Sequence, residues 1–215
     1  MEFGISDEGK IIEDQVVRFI DEKIIPTETI IAAEDAPNGS DAPTMKALRA
    51  EAKSLGLWNL YLPDSDWGAG VSNHDYSVLC EHMGKSQIAP RVFNCHAPDT
   101  GNAEILAQFG TDSQKAQWLV PLLEGEIRSC FSMTEPDTSG ADPTGLRTTA
   151  VRDGDEWVIN GHKWFTSGAI GARFAIAMIG TNPRGGPHER ASMIIVPTDA
   201  PGFDLIRPVS VMGHT

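Results

Sequence analysis

Two stretches of the 215-residue sequence carry side chains whose types and spacing suit chemistry on a flat ligand. One is Cys130-Phe131-Ser132-Met133-Thr134-Glu135-Pro136-Asp137-Thr138-Ser139-Gly140-Ala141-Asp142. The other is Val158-Ile159-Asn160-Gly161-His162-Lys163-Trp164-Phe165-Thr166-Ser167-Gly168. A conjugated ring that accepts a hydride needs apolar walls for its faces. It also needs neutral donors along its heteroatom edge, because negative charge gathers there on reduction and fixed donors lower that cost. Phe131, Trp164 and Phe165 can pack; Thr134, Thr166 and Ser167 can donate. The same residues also read as two edge loops of a β-sandwich or barrel.

Other candidate chemistry fails on spacing. Gly84-Lys85-Ser86 imitates the end of a phosphate-binding loop, but position 79, where the leading glycine belongs, is Leu79, and the tripeptide falls inside a predicted helix. Gly68-Ala69-Gly70 lacks the third glycine and the preceding strand of a dinucleotide fold. The six histidines (His74, His82, His96, His162, His188, His214) form no i, i+4 pair, so no metal site is expected. His74 and His82 read as surface residues two turns apart on one helix. Cys80, Cys95 and Cys130 are odd in number and far apart, which indicates free thiols. Asn38-Gly39-Ser40 matches a glycosylation sequon, without meaning outside a secretory route. With 30 acidic residues, proximity in sequence singles out no general base, and each carboxylate reads as a solvated surface charge.

The elements that must position these loops follow from texture. The first 133 residues hold 21 acids and 10 bases; the remaining 82 hold 9 and 7 and are far richer in Gly and Pro for their length. That pattern predicts an acidic helical domain followed by a mostly antiparallel β-barrel or sandwich domain, an α+β chain. Ile12, Val16, Phe19, Ile20 and Ile24 mark one face of a helix that Pro26 bends or ends. Further helices are expected over 44–55, from an N-cap at Ser72 to Lys85, over 102–109, and from a Thr111–Gln114 capping box to Glu124. Glu156–Asn160 and Trp164–Thr166 flank Asn160-Gly161, a common hairpin turn. Arg173–Ile179 and Ser192–Val196 read as strands, with a loop over 183–187 between them. The net charge of −13 argues against nucleic acid as partner. No apolar run approaches the ~18–20 residues of a membrane span. The N-terminus has no signal-peptide pattern, so a cytoplasmic location is expected.

The two loop stretches resemble the TEP and NGxK signatures of the acyl-CoA dehydrogenase family. The resemblance extends upstream, in the family's order, through Pro63, the Gly68-Ala69-Gly70 turn, Glu81-x-Met83-Gly84, Pro98-Asp99-Thr100-Gly101-Asn102 and Pro121-Leu122-Leu123-Glu124-Gly125. The nine-residue TEP segment, Thr134 to Asp142, is similar to that of a subgroup of long, often multidomain members. The resemblance implies a helical N-terminal domain over 1–127 and a middle β domain over 128–215. It implies FAD as cofactor, an acyl-CoA thioester as substrate, and trans-2-enoyl-CoA as product. In such a reaction the α-proton goes to a glutamate and the β-hydride to the flavin, and electrons pass on to an electron-transferring flavoprotein.

Carried over by motif, Thr134 is the flavin-contacting threonine, Phe165 covers the flavin and Ser167 lies near its reactive edge. Phe131, Met133 and Thr166 are their neighbours in the cofactor site. Asp99, Thr100 and Asn102 are expected in a loop facing the acyl pocket. Gly140 and Asp142 are expected on the thioester side, where Ala141 replaces the family's usual Ser. Arg184 and Arg190, with His188, are candidates for CoA phosphates from an exposed loop. The catalytic glutamate and much of the FAD and oligomer contact belong in the family to a C-terminal four-helix domain absent from these 215 residues. The sequence is therefore expected to be a fragment or truncated product, one half of a split enzyme completed by a separate polypeptide, or a non-catalytic binding module, inactive alone, with the complete protein a homo-oligomer. Acyl-CoA oxidase chemistry on the same fold stays open.

Overall fold

The computed structural model describes residues 4–34, 42–140 and 142–211; Asn38-Gly39-Ser40, Ala141 and His214 lie outside them. The chain clusters into two compact units, residues 1–126 and 127–215.

The first unit is helical. Helix α1 spans Asp7–Phe19, α2 Glu28–Glu34, α3 Pro43–Ser54, α4 Asn73–Met83, α5 Ala89–Val92, α6 Asp99–Phe109, α7 Asp112–Gln114 and α8 Val120–Leu123. Between α1 and α2 the chain stays helical, through a wide π turn over Ile20–Ile24 and a 3₁₀ turn over Ile25–Thr27. A second π turn, Lys115–Leu119, joins α7 to α8. Each π turn ends two residues before a proline, Pro26 or Pro121. A proline ring clashes with the carbonyl four residues earlier, and widening the turn relieves that clash without breaking the helix. Thus Pro26 bends the first helix without ending it. Val16, Ile20, Ile24, Leu48, Leu79, Met83, Phe93, Leu106, Leu119 and Leu122 are buried in this unit, and Phe19 meets Phe93 edge to face at 5.6 Å.

Ser72 caps α4 as expected, accepting from the Asp75 amide. Ser6 caps α1 in the same manner through the Gly9 amide. The Asp75 carboxylate joins the two caps: it accepts from the Ser6 amide at 2.9 Å, the Ser6 hydroxyl at 2.9 Å and the Ser72 hydroxyl at 3.0 Å. These bonds, the Ser6 amide foremost, hold Asp75 below the usual carboxylate range. His82, read from the sequence as a surface residue, is half-buried, and its Nε2 pairs with Glu13 of α1 at 2.7 Å. The capping box at Thr111 forms in full.

The second unit holds one mixed five-stranded sheet: β1 Ser129–Ser132, β2 Thr149–Asp153, β3 Glu156–Asn160, β4 Phe174–Gly180 and β5 Ala191–Pro197. Central β4 pairs antiparallel with β5 along one edge. Its other edge pairs in parallel with β1 and, through Thr149↔Gly180, with β2. Apolar on both faces, β4 is buried along nearly its whole length, as a strand covered on both sides must be. The expected Asn160-Gly161 hairpin does not form. Instead β3 pairs with β2, which precedes it, around Gly154-Asp155, with Gly154 at φ 60°. Residues 164–166 are not a strand.

Candidate functional site

The TEP segment leaves β1 at Ser132 and is held by a buried carboxylate. Glu135 is 3% exposed and accepts from the Arg147 amide at 2.6 Å, the Thr148 amide at 2.9 Å and the Lys163 ammonium at 2.8 Å. Burial opposes its ionisation, but the Lys163 ammonium and the hydrogen bonds at Thr148 and Arg147 outweigh burial and bring it down to about 2. Lys163 reaches back a second time, to the Met133 carbonyl at 2.9 Å. The Trp164 amide donates to the Thr134 carbonyl at 3.0 Å. The two sequence stretches are therefore laced together through their backbones.

Beyond this lacing the chain presents aromatic surface. Phe165 stands at φ 51°, a left-handed conformation that costs a bulky residue ~1–2 kcal/mol. Its ring is half-exposed and tilts against Trp164 with centroids 4.7 Å apart. Thr166 is partly buried and Ser167 exposed; the Ser167 amide closes a tight turn on the Phe165 carbonyl. Packing explains neither the strain nor the exposure, since a core aromatic would be covered. An aromatic wall with hydroxyls at its margin suits a flat, conjugated ring, so the residue types fit a flavin.

The other sequence-derived residues fall in place as follows. Phe131 is partly buried on β1. Gly140 lies against Thr134, where a Cβ would come 3.1 Å from Cγ2. Asp142 is exposed and caps a short 3₁₀ turn, Pro143–Gly145, accepting from the Thr144 hydroxyl and amide. Those bonds, and after them the charge of His188, lower its pKa. In the 183–190 loop Arg190 Nε donates to the Gly185 carbonyl at 3.0 Å, and Arg184 is exposed.

In the helical unit, Asp99 and Asn102 are buried one turn apart on α6, and Thr100 is half-buried. They form the first helical turn, not the expected loop, because the helix starts three residues earlier than its apolar pattern suggests. Tyr61 lies close by. Burial, then Cys95, then the Asp99 carboxylate push its hydroxyl pKa up. Sequence reading missed the Glu135–Lys163 pair and the jam of Gly161 against Thr148, where a Cβ would sit 2.3 Å from Oγ1. Asp75, Asp99 and Glu135 stand apart from the solvated surface charge expected of most carboxylates, and all three are buried. Among the described residues no group of three or more His, Cys, Asp or Glu is placed to hold a metal ion, and no helix is long and apolar enough to cross a membrane.

The acyl-CoA dehydrogenase N-terminal domain family model matches residues 6–126, and the family's middle-domain model matches residues 130–215. The chain belongs to the acyl-CoA dehydrogenase family. Its relatives include acyl-CoA dehydrogenase family member 10 of Mus musculus, 44% identical over 219 residues, covering 98% of this chain and 20% of that protein. A putative acyl-CoA dehydrogenase from Mycobacterium abscessus superposes with a TM-score of 0.92 at 42% identity, over 98% of this chain and 55% of that one. A glutaryl-CoA dehydrogenase from Mycobacterium smegmatis, solved in complex with FADH2, superposes with a TM-score of 0.70 at 26% identity, over 92% of this chain and 47% of that one. The chain spans a fifth to about half the length of these relatives. Its helical unit and mixed-sheet unit are the family's N-terminal and middle domains.

Proposed function

We propose that the 127–215 unit binds the ring system of FAD and that this chain serves an enzyme that dehydrogenates an acyl-CoA thioester to a trans-2-enoyl-CoA. The observation that carries this reading is Phe165, strained, half-exposed and tilted against Trp164, at the end of a segment anchored to the Thr134 carbonyl. FAD, when bound, supplies the hydride acceptor. Phe165 and Trp164 cover a ring face and exclude water from it. The hydroxyls of Thr134, Thr166 and Ser167 are neutral donors that favour negative charge on the ring without repelling a hydride. Phe131 and Met133 complete the cofactor wall. Gly140, Asp142, Arg184 and Arg190 are assigned to the thioester and its CoA anions, and Asp99, Thr100 and Asn102 to the acyl side.

Glu135 is not the proton-abstracting base. It is buried, accepts three hydrogen bonds and sits at about 2, far below the range a base needs near neutral pH. The base is assigned to residues outside this chain's sequence, as the family resemblance implies. An electron-transferring flavoprotein as acceptor, a homo-oligomeric assembly and a cytoplasmic location belong to the same proposal.

The test is a titration of the 215-residue chain with FAD to millimolar concentration, followed by visible absorption and quenching of flavin emission. Saturable quenching that Phe165→Ala abolishes is expected. Every ~4 kcal/mol of FAD contact made elsewhere weakens this binding about a thousandfold, so the affinity should be modest. Absence of quenching overturns the ring site. Robust turnover of acyl-CoA with an artificial acceptor overturns the placement of the base outside the chain.

A further inference from the structure

We propose that Lys163 is the positioning residue of the flavin wall: its ammonium bridges the Met133 carbonyl and the Glu135 carboxylate, and so fixes Thr134 and the Trp164–Phe165 pair in register. This rests on the flavin reading of the same site. The two oxygens that Lys163 holds, at 2.9 and 2.8 Å, belong to the residues on either side of Thr134. Thr134 itself accepts from the Trp164 amide, one residue after Lys163. Three consecutive residues of one stretch are thus held by two consecutive residues of the other. The Lys163 side chain is only 13% exposed and that of Glu135 only 4%, so the bridge works away from solvent screening.

Phe165 shows why such a bridge is needed. A left-handed conformation at a bulky residue persists only where its surroundings over-determine it. Phe165 lies two residues after the Lys163 anchor. On the upstream side Gly161 is pressed onto Thr148, whose amide is held by the same Glu135 carboxylate. An ammonium offers three donors from one point, two of them spent here on oxygens of different chemistry. A neutral side chain at 163 would release both.

Amide hydrogen exchange and FAD titration on the full chain test this together, for wild type, Lys163→Met, Lys163→Arg and the double variant Glu135→Gln/Lys163→Met. The double variant removes both charges and so avoids leaving a buried carboxylate unpaired. Exchange at β4–β5 reports whether the sheet is intact. In the single variant, or in the double one if the single does not fold, the Trp164 amide should exchange at least about tenfold faster while β4–β5 stays protected. FAD affinity should fall at least about tenfold, with Lys163→Arg recovering most of both because it restores the positive donor. Unchanged Trp164 exchange in the double variant overturns the proposal. Faster exchange with unchanged FAD affinity also overturns it, leaving Lys163 a stability residue only. A wild-type chain that takes up no FAD overturns the flavin reading itself, and the positioning role with it. Wild type and Lys163→Met binding equally well overturns the positioning role alone.

Discussion

Glu135 and Phe165 pull stability in opposite directions. The folded pKa of Glu135, about 2, is depressed from 4.5. A depressed carboxylate adds stability that is fully present above its unfolded pKa and is lost as pH falls through the folded one. At side-chain exposure of 4% the shift corresponds to ~3 kcal/mol near neutral pH. The urea midpoint of Glu135→Gln should therefore lie well below wild type at pH 7, with the gap closing between about pH 4.5 and pH 2. A constant gap across that window would show that the charge is not what the fold uses. Phe165 is the reverse case. Glycine tolerates φ 51° freely, so Phe165→Gly should match wild-type stability or exceed it by up to ~1 kcal/mol, while losing quenching of bound flavin. Destabilisation by more than ~1 kcal/mol would mean that the ring packs in the core, which its 51% exposure argues against.

At the level of elements, local signals were legible and distant partners were not. Ser72 and the Thr111–Gln114 box announce their helices because a cap is chemistry within four residues. The Asn160-Gly161 pair misled for a related reason: its turn propensity is real, but Gly161 is needed for its close approach to Thr148, and the turn goes to Gly154-Asp155. The TEP and NGxK stretches were marked by their residues, yet the Lys163–Glu135 bridge spans 28 residues and the Ser6–Asp75 bond spans 69, separations no local pattern encodes. Asp75 offers a test of that long-range coupling. Removing either cap should cost ~1 kcal/mol. Because both serines bond one carboxylate, the loss in Ser6→Ala/Ser72→Ala should differ from the sum of the single losses by at least ~0.5 kcal/mol in denaturant unfolding. Strict additivity would mean that the carboxylate does not connect α1 with α4.

For the whole molecule, charge and apolar surface are partitioned unevenly. The helical unit, residues 1–126, carries a net of −12 and the β unit, residues 127–215, a net of −1. That difference eases the conflict between an acidic protein and anionic ligands, because the residues assigned to FAD and to the CoA anions lie on the nearly neutral part. The same partition leaves the β part with little repulsion to keep copies apart. It also has an exposed edge: β3 ends the sheet, with no further strand beside it among the described residues. All five of its residues are exposed, with Val158 at 56% opposite Val151 at 67%, and Trp157 and Ile159 on the other face. An unpaired edge with apolar side chains on both faces is a template for strand addition by another chain. Association should therefore rise as the pH nears the pI of 4.8, where the net charge of −13 at pH 7 vanishes. Val158→Lys places a charge on that edge at an exposed site, so unfolding free energy should stay within ~0.5 kcal/mol of wild type. Light scattering at a pH just above the pI should drop sharply in the variant. If scattering persists there while stability is unchanged, the association runs through the helical surface, and the β3 edge is not where copies of this chain meet.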